Sequence, residues 1–170
     1  MSHNELVRIF DPLALHGNHI VVHSAADAVD SPETAELVAA ALMEAVGPGG
    51  TLVLPAFTDD TTCEGPTERP PGHRPVPFHS DLPVSERLGP LPEVFRRLPG
   101  VLRSSHPTHS FAAWGRRARE VLSTQRDNNT LGPLKKINVL QGHVLLLGAG
   151  LDAATILDRK STRLNSSPRT

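Results

Sequence analysis

HIVVHSAADAVDSPETAELVAAALMEAVGPGGTLVLPAF, residues 19–57, decides the fold. His19–His23 is short and β-branched, the composition of a strand. Ser31-Pro32-Glu33 then opens a helix, with serine as the N-cap, proline at the first helical position and an acid in the first turn. Leu37, Val38, Ala41, Leu42, Ala45 and Val46 recur at helical spacing and give one apolar face. Gly47 ends the helix, and Pro48-Gly49-Gly50 prevents its continuation. Thr51–Phe57 is apolar nearly throughout, which predicts a second strand buried on both faces. Strand, helix and strand in so short a span predict a right-handed βαβ unit with parallel strands.

Outward from this unit the signals weaken. Residues 1–18 read as a polar lead-in with a short helix near Glu5–Phe10. Residues 58–90 are rich in Pro, Asp, Glu, Thr and Gly and lack periodicity; so long a loop in a compact domain suits a lid, a substrate loop or a disordered insertion. Pro92–Leu98 predicts a short helix closed by Pro99-Gly100. Val101–Ser104 and Ser110–Trp114 read as strand pieces, and Arg116–Ser123 and Leu131–Ile137 as helices. His143–Leu147 predicts a buried strand ended by Gly148, after which Asp152 would cap a last helix over 153–157. Residues 158–170, DRKSTRLNSSPRT, are basic and rich in Ser and Thr, with one Leu to offer a core. They read as a solvated, disordered tail and resemble translated sequencing-adapter read-through. The expectation is a domain over 1–157, incomplete at its C-terminus, followed by a non-native segment.

A chain of 170 residues suits one domain. Hydrophobic content of 38% and charged content of 21% fit a globular protein. A net charge of -1 gives no drive toward nucleic acid or an anionic membrane, and 4% aromatics without tyrosine offer no base-stacking surface. The single cysteine, Cys63, excludes an intrachain disulfide and fits a reducing compartment. No His or Asn signature surrounds it, so it reads as a bystander thiol. No secretory signal and no apolar run of membrane-spanning length is present, which points to the cytoplasm.

The chemistry concentrates in VLRSSHPTHSFAAWG, residues 101–115. Pro107 biases His106 to extended geometry, a fixed position from which an imidazole can enter a cleft as a general base. The same ring could equally bond a turn. His109 is its candidate partner in a diad. No acidic or Cys partner stands at a ligand spacing from this pair, so no metal is expected. Arg103 beside Ser104 and Ser105 reads either as a phosphate or carboxylate site or as a surface arginine. Asp59, Asp60, Glu64 and Glu68 make the long loop acidic, for solvation or for attracting a polycation. His23 and Ser24 end the first strand, where α/β sheets commonly bind ligands. Gly47–Gly50 is not a phosphate loop, since it follows a helix and lacks the Lys; no G-x-G-x-x-G or G-x-S-x-G occurs.

The chain resembles the aminoglycoside 3-N-acetyltransferases, the antibiotic N-acetyltransferase family. The resemblance is carried by VVHSA (21–25), AVGPGGTLVLPAFT (45–58), the segment 76–115 and HVLLLGAGLDAATIL (143–157). Within 76–115 the order G-x-L-P-E, F-R, P-G, R-S-x-H-P, S-F-A-A is the most specific part. The resemblance implies an α/β/α fold, a mixed, largely parallel sheet flanked by helices. It implies transfer of acetyl from acetyl-CoA, a cosubstrate, to the 3-amino group of an aminoglycoside, without a metal, and leaves a homodimer open. By resemblance His106 is the base or its close partner, with His109 beside it. Ser104 and Ser105, with Arg103, would hold CoA; Ser24 would line its channel and Thr58 the reaction centre. Asp59, Asp60 and Glu64 would face the cationic sugar. After Leu157 the family continues T-x-L-H-x-A-E, whereas this chain reads Thr155-Ile156-Leu157-Asp158-Arg159-Lys160. The chain as written is therefore expected to be poorly active or insoluble. The alternatives are a CoA-binding fragment without turnover, an N-acetyltransferase for another amine, and a Ser/His hydrolase using Ser104 or Ser105, which lacks the nucleophile elbow.

Overall fold

A computed structural model describes residues 1–61 and 74–149. Its elements are α1 (His3–Phe10), β1 (His19–Ser24), α2 (Pro32–Val46), β2 (Thr51–Pro55), α3 (Pro90–Phe95), β3 (Leu102–Arg103), β4 (Phe111–Gly115), α4 (Ala118–Leu122), α5 (Gly132–Val139) and β5 (His143–Leu147). Cys63, Glu64, Glu68, Asp152, the helix read over 153–157 and the segment 158–170 lie outside the described residues.

Local chemistry explains the helix starts. Ser31 Oγ accepts the Thr34 N–H at 3.2 Å, and Pro32 occupies the first turn of α2. Ser2 caps α1 through a reciprocal pair, its own N–H donating to the Glu5 carboxylate at 2.6 Å. Helix α3 starts at Pro90, ahead of the expected Pro92, because the positive φ of Gly89 turns the chain there.

The strands form one sheet in the order β3-β4-β2-β1-β5. β1 pairs in parallel with both β2 and β5, Ile20 lying beside Leu52 on one side and His143 on the other. β4 runs antiparallel to β2 and to β3. Four strands therefore share a direction and β4 opposes them, a mixed α/β arrangement in which the βαβ unit is β1-α2-β2. Alternation along each strand divides the core in two. Ile20, Val22, Leu52, Leu54 and Ala112 pack toward the layer of α1, α2 and α3, with Phe10, Leu42, Leu91 and Phe95. Val21, Val53, Phe111 and Ala113 pack toward α4 and α5, with Val121, Leu134 and Ile137.

All five residues of β2 are buried, as its unbroken apolar run requires. β5 departs from the expectation of burial: His143 is exposed and Val144–Leu147 are half-buried. The reason is its position, since among the described residues it pairs with β1 alone. Gly115 closes β4 at φ +101°, and a Cβ there would collide with the Gly50 carbonyl oxygen, which accepts the Arg116 N–H at 2.8 Å. The described part of the long aperiodic stretch is pinned to the body. Leu82 and Val84 are buried, and Val84 donates its N–H to the Glu93 carboxylate at 2.8 Å. Burial pushes the Glu93 carboxyl up, but hydrogen bonds from Arg96 and Val84 bring it below the ordinary range.

Candidate active site

The histidine-bearing loop lies between β3 and β4, an antiparallel pair that turns back over the C-terminal ends of β1 and β2. Hydrogen bonds from several segments fix it. Ala56 donates its N–H to the Ser110 carbonyl at 2.9 Å, and Thr58 donates to the Thr108 carbonyl at 3.1 Å. Ser104 donates its hydroxyl to Gln125 Oε1 at 2.5 Å and accepts the Phe111 N–H at 2.8 Å. Gln125 in turn donates its amide to the carbonyls of His109 and Thr130, each at 2.7 Å. One buried glutamine thus ties the loop to the segment between α4 and α5.

These elements enclose a cavity of about 670 Å³ lined by His23, Pro55, Phe57, Leu88, His106, Thr108, His109, Phe111, Asp127, Thr130, Leu131 and Leu134. It sits at the carboxyl ends of parallel strands, the usual ligand position in such sheets. His106 and His109 meet here, their rings edge to face with centroids 5.8 Å apart. His109 leans on Phe57 at 4.9 Å, and Phe57 meets Phe111 edge-on at 5.6 Å. Burial lowers the pKa of His106; neighbouring His109 lowers it further and Asp127 opposes the shift. Burial alone lowers that of His23, whose Nε2 is buried without a partner among the described residues. Both shifts favour the neutral ring.

A second cavity of about 360 Å³ backs onto the first through His106. Arg103, Ser104, Ser105, Arg119, Arg126 and Asp127 are in its wall. Ser105 is exposed there, while the Ser104 hydroxyl is committed to Gln125. Arg103 is not a free surface fork. It donates to Ser110 Oγ at 3.0 Å, the Ala56 carbonyl at 2.7 Å, the Ser80 carbonyl at 3.0 Å and the Leu82 carbonyl, and lies over the Phe78 ring at 5.3 Å. Burial pulls its pKa down to about 10, and adjacent Arg96 adds to the shift. Its guanidinium works as an internal tie between β3, the end of β2 and residues 80–82.

The other expected residues lie off the cavity walls. Ser24 is half-buried at the end of β1, opposite Leu147. Thr58 is buried behind the loop, and its Oγ1 accepts the Asp60 N–H at 3.5 Å. Asp59 accepts the Ser85 hydroxyl at 2.6 Å, and the Asp60 carbonyl accepts the Val76 N–H at 3.0 Å. Among the described residues no three His, Cys, Asp or Glu side chains gather as a metal site, and no helix is long and apolar enough to cross a membrane.

A profile described as aminoglycoside 3-N-acetyltransferase matches residues 21–167. The chain belongs to the aminoglycoside 3-N-acetyltransferase family. Aminoglycoside N(3)-acetyltransferase IV of Salmonella sp is 36% identical over 147 residues, which are 83% of this chain and 51% of that relative. The solved structure of AAC-IIIb, binary with CoASH, is 33% identical with a TM-score of 0.72, over 92% of this chain and 63% of that one. AAC-VIa bound to sisomicin is 30% identical with a TM-score of 0.77, over 92% and 63%. The chain spans about half the length of the curated relatives it matches. Within this family member, sequence reading overlooked Thr108, Gln125, Asp127 and Thr130. The last three sit in STQRDNNT, residues 123–130, whose only signal is a dense polar turn between two helices.

Proposed function

We propose that these residues carry the acetyl-transfer centre of an acetyl-CoA-dependent N-acetyltransferase acting on the 3-amino group of an aminoglycoside, with antibiotic resistance as its consequence. The observation that carries the reading is the pairing of His106 and His109 in one largely apolar cavity at the ends of β1 and β2. The apolar wall of Phe57, Leu88, Phe111, Leu131 and Leu134 suits an acyl-pantetheine arm and excludes water from the thioester. An amine that attacks a thioester must shed a proton, and an imidazole that titrates near neutrality is fitted to take it. The family membership, the CoASH on one structural neighbour and the sisomicin on another support the same substrates.

In this reading Ser105, with Arg119 and Arg126 near it, faces the CoA side, and Asp59 and Asp60 add negative charge that attracts a cationic sugar. The reaction belongs in the cytoplasm, and a homodimer would show in light scattering as twice the mass of one chain. The test follows CoASH release with a thiol reagent, with and without kanamycin. Release that requires the aminoglycoside supports the proposal. Release without any amine would make the chain a hydrolase. CoA binding with no release, or release only with another class of amine, would overturn it.

A further inference from the structure

We infer that Arg103 is a positioning residue for the cosubstrate, hanging residues 80–85 so that Phe57 and Leu88 make the wall against which an acyl-pantetheine arm lies. The inference rests on the acetyltransferase reading and deepens it, since it concerns how tightly CoA is held. The guanidinium itself is committed to the protein. Its Nε donates to Ser110 Oγ at 3.0 Å, its Nη2 to the Ala56 carbonyl at 2.7 Å, and its Nη1 to the Ser80 carbonyl at 3.0 Å and to the Leu82 carbonyl. The Phe78 ring covers it at 5.3 Å. With a pKa of about 10 it stays charged and donating at pH 7. A phosphate or carboxylate would have to displace those carbonyls to reach it.

Residues 74–85 form neither helix nor strand, so their backbone groups need partners outside a ladder. Two guanidiniums supply them. Arg96, its side chain 6% exposed, donates to the Ser80 and Asp81 carbonyls, each at 3.3 Å, beside the bonds from Arg103. Arg96 also grips Glu93, at 2.8 and 2.7 Å, and Glu93 accepts the Val84 N–H at 2.8 Å. The next residue reaches the cavity. Ser85 donates its N–H to the Phe57 carbonyl at 2.7 Å and its hydroxyl to Asp59 at 2.6 Å. One tight turn later, closed by the Leu88 N–H on the Ser85 carbonyl at 3.0 Å, Leu88 stands in the cavity wall with Phe57. Gly89 seats this turn on the loop leaving β1, so closely that a Cβ would come within 2.8 Å of Ala26 Cα. Hydrogen-bonded backbone therefore runs from Arg103 to the wall.

Loss of Arg103 would release residues 80–82 and leave the histidines tethered. Ser110 keeps its own hydrogen bond to the Ala56 carbonyl at 2.6 Å, and Ser104 keeps Gln125 at 2.5 Å. The wall loosens while the loop holds, so binding weakens more than turnover. A lysine would restore the charge on a single nitrogen, which cannot span acceptors on residues 56, 80, 82 and 110 together.

Calorimetric titration of the full chain with CoASH tests this, beside kinetics with acetyl-CoA and kanamycin. Arg103→Met should raise the CoASH Kd and the acetyl-CoA KM about tenfold and change kcat by no more than about threefold. The kanamycin KM should rise less than the acetyl-CoA KM. Arg103→Lys should fall between the parent and Arg103→Met. Arg96→Gln leaves Arg103 in place, removes bonds to Ser80 and Asp81, and should raise the Kd about threefold. Hydrogen exchange should quicken at the Val84 and Ser85 amides in these variants and stay unchanged in β1. Leu42→Ala, in the opposite layer, controls for lost stability alone and should leave the CoASH Kd within about twofold. An unchanged Kd in Arg103→Met, or in Arg96→Gln where the first variant does not fold, overturns the inference. So does an equal rise in Leu42→Ala, or a fall in kcat without a rise in KM. A parent chain that binds CoASH but transfers no acetyl would remove the acetyltransferase reading and leave the Kd comparison to decide the inference. A parent chain that binds no CoASH would remove both.

Discussion

On the α1–α3 side of the sheet, Leu42, Val46, Leu52, Leu91 and Phe95 are each no more than 1% exposed. They pack in one continuous apolar cluster. On the α4–α5 side, Phe111, Val121 and Ile137 share the interior with buried Ser104 and Gln125, and both cavities open there. The sheet contributes alternate residues of the same strands to both sides. The difference comes from what covers it: fifteen-residue α2 on one side, five-residue α4 and eight-residue α5 on the other. Short helices leave room that polar loops must fill. One face holds the fold, and the other has space for a reaction.

The comparison predicts separable mutational effects. Leu42→Ala, in the apolar layer, should cost about 3 kcal/mol of stability. Denaturant unfolding checks this, and the His106 ¹⁵N signals should not move while the chain stays folded. A shift of those signals would show that the faces are coupled. Gln125→Met preserves volume but strips donors from two carbonyls and an acceptor from Ser104. It should cost about 2 kcal/mol and also shift the His106 ¹⁵N signals, read by unfolding and by ¹⁵N spectra together. Stability loss without a spectral change would reduce Gln125 to a filler.

The smallest effect is one of pH. His23 and His106 both titrate below the ordinary histidine range when folded, so the unfolded chain binds more protons as pH falls. Their contribution is complete above about pH 6.5 and is lost below it, toward their folded values. Tm should therefore drop between about pH 7 and pH 5.5, a window above carboxylate titration. His23→Leu should shrink the drop and change stability at pH 7.5 by no more than about 1 kcal/mol, because it replaces a group already unpaired. An unchanged drop in that variant would move the acid sensitivity elsewhere.

The apolar face was legible in the sequence, and the polar face only in part. Ser31-Pro32, the helical spacing of apolar positions from Val38 to Val46, and Gly47 are local signals, and each acts within a few residues of where it stands. The partnering of β1 with β5 is not local, and nothing in HVLLL says that it will stand half-exposed beside β1. Arg103 read as an anion fork because its serine neighbours are visible in sequence; its true acceptors come from residues 56, 80, 82 and 110. His106 and His109 were legible as a pair. Which ring nitrogen His106 presents was not, because the backbone N–H groups of Thr108 and His109, which both donate to its Nδ1, decide it.

The place of β1 carries a cost in time. It lies between β2 and β5, so Ile20 must await His143 before its second ladder can form. On a ribosome the nascent β1-α2-β2 unit emerges with one flank of β1 unsatisfied and stays so until nearly all of the described chain has been translated. Such a long-range closure raises contact order and slows folding. During that interval the exposed edge is what a chaperone, or a second unfinished copy, would meet first.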